Sequence, residues 1–74
     1  MVLFDSFKKG SVNANGIKLA NLGKYQEALE CFDKAIKLSP NRSETWYNKG
    51  SALLKLGRYQ EALECYDKSL KLNS

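Results

Sequence analysis

Gly23-Lys24-Tyr25-Gln26-Glu27-Ala28-Leu29-Glu30-Cys31-Phe32-Asp33-Lys34-Ala35-Ile36-Lys37-Leu38 decides the fold, because the chain writes it twice. It returns as Gly57-Arg58-Tyr59-Gln60-Glu61-Ala62-Leu63-Glu64-Cys65-Tyr66-Asp67-Lys68-Ser69-Leu70-Lys71-Leu72. The offset is 57 − 23 = 34 residues, with nothing inserted or lost inside the match. A fixed period of this size marks a repeat architecture, in which each unit buries its apolar face only against its neighbours. Stacked units make an extended surface, so the class of function to expect is binding.

Working outward, Tyr25, Ala28, Leu29, Phe32, Ala35, Ile36 and Leu38 recur at spacings of three and four. That is the period of one helix face, and strong helix formers fill the polar positions between. Ser39-Pro40-Asn41 stops this helix, since proline cannot continue it. Ser43 is the expected N-cap of the next, with Glu44 placing negative charge in its first turn. Trp46, Tyr47, Ala52, Leu53, Leu54 and Leu56 carry that helix, and Gly57 ends it as the residue able to turn left-handed. Tyr59 to Leu72 then repeats the first pattern. Upstream, Ser11 to Leu22 aligns with Thr45 to Leu56 and reads as the opening helix of the first unit. Gly16 falls opposite Gly50 in that alignment, so both are expected to be packing glycines where helices approach closely. Residues 1–10 read as a further turn or two, or as a segment crossing to a partner. With no strand pattern and no low-complexity linker, the expected fold is all-α: four helices in two stacked hairpins.

The chain has 74 residues, 43% hydrophobic and 27% charged, which is a globular rather than a disordered composition. A domain this short buries only about 60–65% of its unfolded surface, so its stability should be marginal. The net charge of +4 tilts the surface basic, yet Lys and Glu are interleaved and no basic run of five appears. Such a surface suits acidic peptides slightly and argues little for nucleic acid. No apolar stretch approaches the roughly 18 residues of a membrane span, and the N-terminus lacks the apolar core of a secretory signal. The expected setting is cytoplasmic. Cys31 and Cys65 occupy one position in two units, about a helix-packing distance of 8–10 Å apart. That exceeds the roughly 7 Å a disulfide spans, so both read as free thiols. The chain contains no His, which removes the usual Cys/His zinc arrangements. Neither a metal nor a cofactor is expected.

Residues 9–74 resemble the tetratricopeptide repeat family. Its pattern runs from a Trp to a Gly four residues on, then a Gly-x-Tyr turn, an Ala, an aromatic, a small residue and a Pro. The second unit supplies Trp46, Gly50, Gly57, Tyr59, Ala62, Tyr66 and Ser69, and the first supplies Gly16, Gly23, Tyr25, Ala28, Phe32, Ala35 and Pro40. The resemblance implies repeats at residues 9–42 and 43–74 behind an extension at 1–8. It also implies that Tyr25 and Tyr59 fill the elbow of each hairpin, and that Phe32 and Tyr66 fill the gap between layers. Val12 departs from the pattern where Trp46 obeys it, and the closing helix found in many members is missing.

In this family the first helix of each repeat lines a concave face. Carried onto this chain, that implies a ligand groove of Asn13, Ile17, Ala20 and Asn21, with Tyr47, Asn48, Ser51, Leu54 and Lys55. One subgroup grips a chaperone's C-terminal carboxylate with Lys and Asn side chains. Here Asn48 keeps one such position, but Asn13 stands for the required lysine and Ile17 for an asparagine, so that ligand is not expected. No His, phosphate loop or nucleophile elbow points to catalysis. The carboxylates Glu27, Glu30 and Asp33 and their copies lie beside Lys on a solvated face, as helix ion pairs do. At the ends, Val2, Leu3, Phe4 and Phe7, and separately Leu63, Tyr66 and Leu70, are apolar residues without an evident cover. Such patches mark association surfaces. The function expected is therefore a protein-interaction scaffold that takes a peptide or helix and self-associates as a homo-oligomer. The alternatives are a purely structural assembly unit, a fragment of a longer repeat protein and, remotely, an RNA-binding helical repeat. A 34-residue period and the Trp46…Gly50 pair count against RNA.

Overall fold

A computed structural model describes the backbone of residues 2–74 and the side chains from residue 12 onward. Among the described residues there are four helices and no strand: α1 (Val2–Asn21), α2 (Tyr25–Leu38), α3 (Ser43–Lys55) and α4 (Tyr59–Asn73). They form two antiparallel hairpins, α1–α2 and α3–α4, joined through α2 and α3.

Each hairpin turn is made by the same device. Gly23 and Gly57 both take φ +81°, the left-handed conformation that L side chains resist. The amide of Lys24 then donates to Leu19 O at 2.8 Å and that of Gly23 to Ala20 O at 3.0 Å. Arg58 and Gly57 repeat this onto Leu53 O and Leu54 O at 2.9 and 3.1 Å. These paired bonds satisfy carbonyls that a helix end would otherwise leave open. The second turn is further tied by Arg58, whose guanidinium donates to both Glu61 oxygens at 2.7 and 2.8 Å. Those hydrogen bonds hold the Glu61 carboxyl below its ordinary range.

Inside each hairpin a glycine receives an aromatic ring. A Cβ on Gly16 would stand 2.5 Å from Phe32 Cε1, and one on Gly50 would stand 2.9 Å from Tyr66 Cε1. Between hairpins, Leu29, Leu53, Ala62 and Cys65 form one buried cluster, with Trp46, Leu56 and Tyr66 packed on it. Ala28, Phe32 and Ala52 form a second, flanked by Leu19 and Ala20. Leu53 is only 1% exposed, and burial of such a side chain contributes roughly 2–3 kcal/mol. The joint is also closed by Lys49 Nζ reaching Asp33 at 2.7 Å, while Ser69 Oγ, donating to Ser43 O at 2.8 Å, ties α4 to α3 within the second hairpin. Trp46 Nε1 donates to Pro40 O at 2.8 Å, which pins the connecting turn over α3.

The backbone of residues 2–10 continues α1 from Val2, in line with the further turns read there. Two details differ from the sequence reading. Ser43 is the first helical residue of α3 and not its cap. The cap position falls on Arg42, extended at φ −96° and ψ 108°, with no side-chain cap bond. The helix enters one residue early because the chain has already straightened at Arg42, and Ser43 serves the α4 contact instead. Finally, Tyr59 is 64% exposed while Tyr25 is half-buried. The elbow of a hairpin is only partly its own, and Tyr59 has no following hairpin against it. Cys31 and Cys65 are free thiols, half-buried and buried respectively.

Candidate protein-interaction surface

Helices α1 and α3 touch each other, while the backbones of α2 and α4 make no close approach. The first helices therefore close inward and the second helices splay, which makes the α1/α3 side the concave one. The molecule spans 39 × 31 × 15 Å, the short axis being two helix layers deep.

On α3 the residues at spacings of four, seven and eight from Tyr47 are Ser51, Leu54 and Lys55, a single helical stripe. Tyr47 and Leu54 are 56% and 43% exposed, Ser51 is half-buried and Lys55 is exposed. Asn48, half-buried, flanks the stripe. On α1 the equivalent stripe holds Ile17 at 40% exposure, half-buried Ala20 and exposed Asn21. Asn13 lies at the buried end of it, and its Oδ1 has no hydrogen-bond partner among the described residues. The surface thus offers separated apolar side chains with amides, a hydroxyl and a cation between them. That mixture supplies both apolar and hydrogen-bonding contacts on one face.

Tyr66 is placed differently from its expected position at the open end. It is half-buried within its own hairpin, with its ring 5.3 Å from that of Tyr47 and its hydroxyl 3.1 Å from Ser51 Oγ. It therefore backs the α3 stripe and holds Tyr47 and Ser51 in place. The packing glycine opposite it was the available signal, since a ring that fills the space over Gly50 cannot also face outward. Leu63 and Leu70 are exposed, at 63% and 69%. Leu22, at 71%, is an equally exposed leucine that the periodicity did not single out. Phe4 and Phe7, with Val2 and Leu3, lie outside the residues whose side chains are described.

No helix among the described residues is long and apolar enough to cross a membrane, and none of their His, Cys, Asp or Glu side chains cluster in a way that could hold a metal. The geometry is that of a helical-repeat scaffold. Two family models match the chain: one described as tetratricopeptide repeat over residues 43–74, the other as TPR repeat over residues 18–57. The chain belongs to the tetratricopeptide repeat family. It is 47% identical over 38 residues to an uncharacterized protein of Methanocaldococcus jannaschii, covering 51% of this chain and 44% of that one. Its fold matches the solved MamA MSR-1 C2 chain with a TM-score of 0.77 at 31% identity, covering 85% of this chain and 39% of that one. The chain spans less than half the length of either protein. Membership in this family makes it a protein-interaction scaffold in general terms.

Proposed function

We propose that this chain is a non-catalytic adaptor that holds a peptide or helix against its α1/α3 face, and that it also associates with copies of itself. The observation that carries the first part is the Tyr47–Ser51–Leu54–Lys55 stripe. Its aromatic ring stays largely exposed, yet it is held from behind by Tyr66. A large side chain that is presented but already ordered binds with little entropy to lose, and Tyr is a frequent interface anchor for this reason. The reading takes residues 9–42 and 43–74 as the two working repeats behind an extension at 1–8, and the cytoplasm as the setting. Exposed Leu63 and Leu70 on α4 support self-association, and a purely structural assembly unit is the second reading they allow.

A random-peptide phage library selected against the 74-residue chain tests the groove. Peptides enriched on it should shift the amide resonances of Ile17, Tyr47 and Leu54. Their affinity should fall roughly tenfold in Tyr47→Ala, as an interface anchor worth about 1–2 kcal/mol requires. Enrichment that is equal on Tyr47→Ala, or shifts confined to α2 and α4, would overturn the groove reading.

A further inference from the structure

The joint inside the chain shows what its two open ends lack. Leu29 on α2 is 5% exposed, buried with Leu53 of α3 and with Ala62 and Cys65 of α4, whereas its copy Leu63 on α4 is 63% exposed. Ile36 on α2 is half-buried, and its copy Leu70 is 69% exposed. On the other side of the joint, Leu56 is half-buried against the cluster, and its copy Leu22 at the end of α1 is 71% exposed. Helix α4 therefore carries one half of this joint without its partner, and α1 carries the other half.

Charge follows the same alternation. Helix α2 has Glu27, Glu30 and Asp33 against Lys34 and Lys37, a net of 2 − 3 = −1, and α3 has Lys49 and Lys55 against Glu44, a net of 2 − 1 = +1. At the ends, α4 has Glu61, Glu64 and Asp67 against Lys68 and Lys71, again 2 − 3 = −1. Among the α1 residues whose side chains are described, Lys18 is the one charged residue, a net of +1. The internal joint brings opposite signs together and seals them with the Lys49–Asp33 pair at 2.7 Å. The copies of these two residues, 34 positions away, are Asn15 on α1 and Asp67 on α4, both exposed.

We propose that copies of this chain stack head to tail, α1 of one docking on α4 of the next as α3 docks on α2 within the chain. This rests on the self-association reading above and specifies its geometry. Such a contact joins two different surfaces, so it grows a file of chains rather than stopping at a symmetric pair. It also leaves the α1/α3 face of each copy free, and the groove of one chain continues into that of the next.

Sedimentation equilibrium on the 74-residue chain and two blocked variants tests the geometry. Leu63→Glu blocks the α4 end and Leu22→Glu the α1 end. Both sites are exposed, so helicity by circular dichroism should be unchanged. The parent should pass the mass of a dimer as concentration rises. Each variant alone should associate at least tenfold more weakly, and their equimolar mixture should form a dimer that grows no further. Asn15→Lys should tighten association of the parent roughly two- to five-fold, the worth of a partly exposed ion pair. Asp67→Asn or about 1 M salt should cancel that gain. An added positive charge on a chain already at +4 would otherwise weaken association. A stable dimer of Leu22→Glu, or a mixture that stays monomeric, overturns head-to-tail stacking. A parent that is monomeric at high micromolar concentration overturns self-association altogether, and leaves the groove reading to its own peptide test.

Discussion

A methyl group on Gly50 would meet two carbons of the Tyr66 ring at 2.9 and 3.0 Å and the carbonyl oxygen of Ala62 at 3.2 Å. The ring could swing, but the carbonyl belongs to helix backbone and cannot. Alanine in place of glycine gains about 1 kcal/mol of helix propensity, while overpacking a tight contact costs about 1–3 kcal/mol. Gly50→Ala should therefore destabilise by up to roughly 2 kcal/mol in a urea titration, and a raised midpoint would show that the α3–α4 spacing is slack. The two thiols differ in a way that the near-identical segments around them hide. Burial pushes the Cys65 thiol up, which disfavours its reactive thiolate, and its side chain is shielded where Cys31 is only half-covered. Iodoacetamide under native conditions should label Cys31 before Cys65. The tryptic peptides Tyr25–Lys34 and Tyr59–Lys68 differ only by the oxygen that separates Phe32 from Tyr66, so mass spectrometry reads both at once. Equal rates would mean that α4 opens freely.

Helices α2 and α4 are close to one sequence, yet they should not be equally stable. Helix α2 lies between α1 and α3 and buries Ala28, Leu29, Phe32 and Ala35, whereas α4 packs mainly on α3, with Leu29 of α2 at its edge, and buries Ala62 and Cys65. Amide protection follows local burial, so in dilute solution the amides of α4 should exchange at least about tenfold faster than those of α2. Equal protection would mean that the two hairpins unfold only as one unit. Periodicity and the glycine turns made the type and order of all four helices readable from the chain, because each rests on contacts within a few residues. The ends were harder. The entry to α3 at Ser43 depends on where the backbone straightens after Pro40. The start of α1 at Val2 crosses Gly10, where propensity alone argues for a stop.

At the scale of the molecule, the 34-residue period foretold the stacking but not which side chains the stacking leaves uncovered. Leu29 and Leu63 sit in matching segments and differ in exposure twelvefold or more, because what covers one is a neighbour that the other lacks. Tyr66 carries two readings, a filler of the gap between layers and an apolar residue at the open end, and its contacts with Tyr47 and Ser51 fit the first. The stripe from Tyr47 to Lys55 was readable from spacing once the family's concave face was known. The support of Tyr47 by Tyr66 is a contact between helices and was not.

The chain has one tryptophan, and it sits in a telling place. Trp46 packs on the cluster that unites the hairpins, and its indole N–H is held by the carbonyl of Pro40 in the turn between them. The ammonium groups of Lys49 and Lys68 each lie 5.8 Å from its ring. Its fluorescence therefore reports on the seam between the two repeats rather than on either hairpin. Parting that seam would wet the indole and move its emission to the red while the helices stayed wound, so the molecule carries an optical gauge of its own coupling.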